Sequence, residues 1–230
     1  VIKTNLNIAF GTIKSEGEKE AIGQESFIHL STAALQCLWL RADPKKRLYQ
    51  LFDEQPEGLD AIQNSFARKK GVFILVAHYG NWEAMGIYHG FLNITPLHSI
   101  VRKLDNPFLE KETTSFRTLS GNSIFYKDVS PLKLVRTIKS NGCVAVMLDQ
   151  NTANGGVFVD FFGKKAATAR SIASLSLGTG AAIIPMFCLP QKNGRYKIRY
   201  GPEIQYSPLG EKDNDIFNLT QLCTQFVESE

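Results

Sequence analysis

Val72-Phe73-Ile74-Leu75-Val76 is an unbroken apolar run with no polar face, and a strand of that kind must be covered on both sides. Beyond it, strand and helix patterns alternate along the chain. The pattern predicts a helix over Asn81–Leu92, a strand over Leu97–Arg102, and a helix that opens at Asn106-Pro107, with proline in its first turn, and runs to about Leu119. It then predicts a strand over Asn122–Tyr126, a helix from Ser130-Pro131 to Asn141-Gly142, a strand over Cys143–Leu148 and a helix over Thr168–Leu177. Ala182–Leu189 reads as a strand, Tyr196–Tyr200 as an edge strand and Ile216–Val227 as a closing helix. Alternation of this length points to an α/β class with a mixed, largely parallel sheet sandwiched by helices.

The first seventy residues read differently. Glu16–Leu40 places Ile22, Phe27, Leu30, Ala34, Cys37 and Leu38 at helical spacing, as one packed face. Gly58–Lys70 reads as a second helix, with Leu59, Ile62 and Phe66 on one side and Gly71 as its stop. We expect one domain over 1–230, with an N-terminal helical hairpin in 1–70 packed on an α/β core in 71–230.

Composition removes several function classes. Hydrophobic residues at 43% and charged residues at 21% are globular proportions, which excludes disorder and coiled coil. A net charge of +4 is too small to argue for nucleic acid as a partner. The four cysteines are scattered without a C-x-x-C pair, so reduced buried thiols are expected and no metal site. His29, His89 and His98 have no ligand spacing and read as structural or surface residues. The longest uncharged stretch, Ser171–Gln191, is broken by glycines and two prolines and reads as helix, turn and strand instead of a membrane span.

The chemistry-bearing segment is Val76-Ala77-His78-Tyr79-Gly80-Asn81-Trp82-Glu83. A buried strand delivers His78 to the carboxyl edge of the sheet, where sites in open α/β folds collect. Gly80 permits a tight turn, and Glu83 falls in the first helical turn, where its charge is favoured. His78 and Glu83 are thus expected to meet across the turn, the carboxylate holding one imidazole nitrogen while the other acts as a general base. The unpaired N–H groups of the helix start could hold an oxyanion. A capped structural histidine would leave the same trace. No G-x-S-x-G elbow, phosphate loop or dinucleotide fingerprint is present, so acyl chemistry here implies direct attack by an acceptor hydroxyl on a thioester.

At His78-Tyr79-Gly80-Asn81-Trp82-Glu83 the chain resembles the late acyltransferases of lipid A biosynthesis, the lauroyl/myristoyl transferase family with an H-x4-D/E motif. Other blocks agree in order: Val101-Arg102-Lys103-Leu104-Asp105-Asn106-Pro107, Arg117 before Gly121-Asn122-Ser123-Ile124, Leu148-Asp149-Gln150-Asn151, Gly156–Gly163 with Ala166-Ala167-Thr168, and Thr179-Gly180-Ala181 to Pro185. The resemblance implies a glycerol-phosphate-acyltransferase-like fold and transfer of a fatty acyl group to a hydroxyl of a lipid A precursor glycolipid. It makes His78 the base and Glu83 its partner, and puts Arg102, Arg117, Asn81 and Asp149 in substrate binding. It implies no bound cofactor, acyl carrier protein or coenzyme A as carrier of the acyl co-substrate, and a site on the cytoplasmic face of a bacterial inner membrane. It also implies that the chain is a stretch of a longer protein, with the family's apolar anchor and C-terminal segment outside it.

From Val129 to Tyr200 ten Lys and Arg face only Asp149 and Asp160, a surface suited to an acidic carrier protein, a phosphorylated glycolipid or anionic headgroups. On the helix after Pro131, Leu132, Val135 and Ile138 are expected to face the core. Met147, Phe161 and Phe162 are candidates for an acyl pocket. Three rival readings remain: an acyltransferase for another polar lipid such as a phosphoinositol mannoside, a non-catalytic module that binds acyl carrier or anionic lipid, and a hydrolase.

Overall fold

The computed structural model describes residues 1–53, 55–152 and 155–230. Four helices come first: α1 (Ile2–Phe10), α2 (Glu16–Leu40), α3 (Pro44–Leu51) and α4 (Leu59–Ala67). Next come β1 (Val72–Val76), α5 (Trp82–Phe91), β2 (Leu97–Val101), α6 (Pro107–Arg117), β3 (Ser123–Tyr126), α7 (Pro131–Lys139) and β4 (Cys143–Met147). The chain continues through β5 (Gly156–Phe161), β6 (Lys164–Ala169), α8 (Ser171–Thr179), β7 (Ala182–Pro190), β8 (Tyr196–Tyr200) and α9 (Lys212–Glu228).

Six strands form one sheet in the order β3-β2-β4-β1-β7-β8. Every neighbouring pair is parallel except β7 with β8, so the sheet is mixed and largely parallel. β1 lies inside it, and its period-2 geometry divides its apolar residues between two layers. Val72, Ile74 and Val76 join the core under α2–α6, while Phe73 and Leu75 join the core under α7–α9. All five are buried, as a run without a polar face requires.

The elements expected from the sequence are present, α2 among them and then from α4 to α9, with three corrections. Thr168 and Ala169 belong to β6, not to a helix, and the β5–β6 hairpin is absent from the sequence expectation. Its turn, Phe162-Gly163, has φ of 50° and 69° at the two central residues, the two-residue hairpin geometry. Alanines weaken the strand signal of Lys164–Ala169, and the usual Asn-Gly or Asp-Gly marker is absent. On α7 the core face is Leu134 and Ile138, one turn apart, and Leu132 is exposed.

The third correction concerns α2. Its bounds are as expected, and Ser15 with Glu18 forms a capping box at its start. Phe27, Leu30 and Leu38, however, are exposed; only Lys19, Ala33 and Leu40 of this helix are buried. Among the described residues, no helix is long and apolar enough to cross a membrane.

Candidate active site

β1 and β4 are parallel neighbours in register, Val76 opposite Met147. Two residues beyond each strand end, His78 and Asp149 therefore emerge side by side at the carboxyl edge. The Asp149 carboxylate grips His78 twice. Oδ2 accepts the His78 backbone N–H at 2.6 Å, and Oδ1 lies 2.8 Å from the ring Nδ1. Bonding at Nδ1 assigns the proton to that nitrogen and leaves the Nε2 lone pair to accept another. The His78 side chain is 29% exposed, so an incoming group can reach the ring. The Gln150 amide sits 3.4 Å from Nε2, and the Trp82 ring meets the imidazole edge-on with centroids 5.1 Å apart.

This corrects the expected pairing of His78 with Glu83. Glu83 is in the first turn of α5, but its carboxylate turns to α6 and takes a two-pronged bond from Arg117. Nε reaches Oε2 at 2.8 Å, and Nη2 holds Oε1. The placement has an electrostatic reason. The acid stands at the positive start of α5 and the guanidinium in the last turn of α6, each at the helix end that favours its charge. Burial works against the Arg117 charge, but the Glu83 carboxylate outweighs it and holds the guanidinium pKa above its ordinary value. The beginning of α5 is thereby locked to the end of α6.

Asn81, expected to bind substrate, is 1% exposed and fully occupied. Its side-chain oxygen accepts the Ala84 N–H at 3.1 Å, which caps α5, and its amide donates to Gln36 Oε1 at 2.9 Å. Asn81 thus fastens the turn to α2. Its own backbone N–H goes to Cys188 Sγ at 3.3 Å. Two of the N–H groups expected to hold an oxyanion, those of Asn81 and Ala84, are therefore already bonded. Gly80 has φ 61°, and a Cβ there would lie 2.0 Å from the Cys188 carbonyl oxygen, so only glycine makes this turn against β7.

The two arginines part company. Arg117 is committed to Glu83. Arg102 follows β2, one strand beyond Asp149 on the same edge, and its exposed guanidinium bonds Asp105 at 2.7 Å. Asp149, read from the sequence as a substrate-binding residue, holds the imidazole instead. Gln150 is a site residue that the sequence reading lacks. Both lie in the block Leu148-Asp149-Gln150-Asn151 after a buried strand, and that position is the signal the sequence offers for them.

The other candidates disperse. Met147 packs against the core under α5, whereas Phe161 and Phe162 meet as tilted rings in the hairpin, so they do not form one pocket. The basic stretch is partly neutralised from outside itself, Arg195 by Asp53, Lys197 by Glu57 and Arg199 by Glu230. Cys143, Cys188 and Cys223 are buried free thiols and Cys37 is half-buried. Burial pushes the Cys37 thiol up to about 12, with the Glu83 charge adding to it, which removes it as a nucleophile.

The chain is 26% identical over 192 residues to a phosphatidylinositol mannoside acyltransferase of Mycobacterium tuberculosis (strain CDC 1551 / Oshkosh), covering 80% of this chain and 58% of that protein. It is 24% identical over 167 residues to a phosphatidylinositol mannoside acyltransferase of Mycolicibacterium smegmatis, covering 71% of this chain and 53% of that protein. The matched region is thus little more than half the length of these relatives. The family profile described as bacterial lipid A biosynthesis acyltransferase matches residues 1–230. With that match over its whole length, the chain belongs to the bacterial lipid A biosynthesis acyltransferase family.

Proposed function

We propose that this chain transfers a fatty acyl group from a thioester to a hydroxyl of a phosphorylated glycolipid, with His78 as general base and Asp149 as its positioning carboxylate. The observation that carries the reading is the 2.8 Å contact between Asp149 Oδ1 and His78 Nδ1, which leaves the Nε2 lone pair, met only by the long 3.4 Å Gln150 contact, to take a proton. The acceptor hydroxyl gives its proton to Nε2 as its oxygen attacks the thioester carbonyl. The C–S bond then breaks, the ester C–O bond remains, and the imidazolium returns the proton to the departing thiolate. Asp149 stabilises the imidazolium and fixes the tautomer. No acyl-enzyme is required, which accords with thiols held protonated by burial.

The donor is an acyl thioester of acyl carrier protein or coenzyme A. The acceptor class, a sugar hydroxyl on a phosphate-bearing membrane lipid, is common to lipid A precursors and the mannosides named in the relatives. Arg102, exposed on the site's edge, is the arginine we assign to that phosphate. The reaction then takes place at a membrane surface, on its cytoplasmic face.

Steady-state transfer to a glycolipid acceptor tests the assignment. His78→Ala should lose about 10²- to 10⁴-fold in kcat. Asp149→Asn should lower kcat with the melting temperature retained, whereas Glu83→Gln should lower the melting temperature. Full activity of His78→Ala, or an acylated protein that releases free fatty acid, would overturn the proposal. Mass spectrometry of lipids from a deletion strain identifies the acceptor through the under-acylated species.

A further inference from the structure

The C-terminal half of α2 is predominantly apolar on every side. From Phe27 to Leu40 there is no Lys, Arg, Asp or Glu. One side packs on the site: the Ala33 carbonyl and Gln36 receive the Asn81 amide, and Leu40 is buried. The opposite side carries Phe27, Ile28, Leu35, Leu38 and Trp39 into solvent, with Leu35 and Leu38 66% and 67% exposed. A helix that is apolar all round belongs in a core or in lipid, and an exposed patch of large side chains marks an interaction surface.

Charge along the helix selects the occupant. The N-terminal half bears Glu16, Glu18, Glu20 and Glu25 against Lys19. Beyond Leu40 come Arg41, Lys45, Lys46 and Arg47 against Asp43, and Lys45 and Lys46 are exposed. The apolar half is therefore bordered by a basic corner at its site-proximal end and an acidic stretch at the far end. An anionic surface attracts the first and repels the second. α6 runs beside it: Arg41 bonds Glu112 at 2.7 Å, and one turn earlier Phe108 and Leu109 are also exposed.

We propose that the solvent-facing side of α2 from Phe27 to Trp39, with the basic corner at Lys45 and Lys46, docks into the headgroup region of an anionic lipid bilayer. In that pose the acidic start of α2 is held off the surface, and the Asn81 turn that carries His78 lies directly behind α2, on the side of the helix away from the lipid. The inference rests on the lipid acceptor proposed above, and it identifies the surface that holds the site one helix away from a membrane-resident acceptor. The helix lies in the interface and does not span it.

Flotation with phosphatidylglycerol/phosphatidylcholine vesicles, together with quenching of Trp39 fluorescence by brominated lipid, tests this. Wild type should float and be quenched, and Trp39→Phe should lose most of the quenching. Leu35→Glu/Leu38→Glu, altering two exposed positions, should keep its circular dichroism and bind about 100-fold more weakly. Lys45→Gln/Lys46→Gln should weaken binding to anionic vesicles alone. Wild-type-like binding by Leu35→Glu/Leu38→Glu overturns the proposal, as does equal binding of wild type to neutral and anionic vesicles. A dimer in sedimentation that the double glutamate variant dissociates, with vesicle binding unchanged, assigns the face to a second copy and also overturns it. His78→Ala separates the two readings, because it should float like wild type while losing transfer. Flotation without transfer to any acceptor retains the docking and removes the chemistry; transfer to a dispersed short-chain acceptor without flotation does the reverse.

Discussion

His78 and His89 show how surroundings divide one residue type between two tasks. His78 stands at the sheet edge with one nitrogen held by a carboxylate and the other only weakly engaged by Gln150, whereas His89 is fully buried on α5. There Nδ1 accepts from the Tyr200 hydroxyl at 2.7 Å and Nε2 donates to the Thr95 carbonyl at 3.2 Å, so both ring nitrogens are satisfied in the neutral form. Burial pushes the His89 pKa down to about 4. A depressed histidine pKa means that the unfolded chain takes up a proton near pH 6.5 that the folded protein refuses until about pH 4. Its contribution to stability is complete above pH 6.5 and is lost as the pH falls towards 4. Urea unfolding of wild type and His89→Gln should show wild type losing about 1.5 kcal/mol more than the variant between pH 6.5 and 5. Glu83 belongs to the same scale. Deleting its carboxylate leaves Arg117 partly buried and unpaired, and Glu83→Ala should cost about 2 kcal/mol in the same measurement.

Between β1 and α5 a few backbone decisions position the whole site. The left-handed Gly80 lets the chain reverse against β7, the Asn81 side chain caps α5 and ties it to α2, and Arg117 clamps its first turn to α6. A methyl group at position 80 would meet both an unfavourable φ and the Cys188 carbonyl. Gly80→Ala should therefore destabilise by about 3 kcal/mol or more, read as a lowered urea midpoint, with transfer lost even in the folded fraction. Elements are legible in the sequence where one periodicity dominates. The β1 run and the Glu16–Leu40 helix have the expected bounds, and Pro107 and Pro131 mark the starts of α6 and α7. The β5–β6 hairpin is hidden because both its strands are half-exposed and β6 is rich in alanine. On α2 the apolar spacing is real, but it carries two faces, and periodicity does not tell which of them the protein covers.

Across the molecule, stability is concentrated in the middle of the sheet. β1 is buried at every position between β4 and β7, whereas α1 has no buried residue and the first half of α2 buries only Lys19. Amides of Val72–Val76 should exchange with solvent only through global unfolding, and those of Ile2–Phe10 several orders of magnitude faster, by local opening. Hydrogen-exchange mass spectrometry measures both; equal protection of the two segments would contradict this distribution. The edge that carries His78 thus rests on the most deeply buried part of the chain, while α1 and the first half of α2 bury little.

Local sequence alone specifies that Val72–Val76 is a covered strand, that His78 leaves it at a carboxyl edge, and that strands and helices alternate afterwards. All three come from side-chain periodicity and turn chemistry, which act over a few residues. Which acid meets His78 is settled at longer range. Glu83 is five residues away along the chain but across a helix start, aimed at Arg117, whereas Asp149 is seventy-one residues away and one strand over. Only the crossover that inserts β4 between β2 and β1 brings the second carboxylate to the ring. Strand order is a global packing outcome, set by how two layers of helices cover both faces of one sheet, and no short-range pattern encodes it.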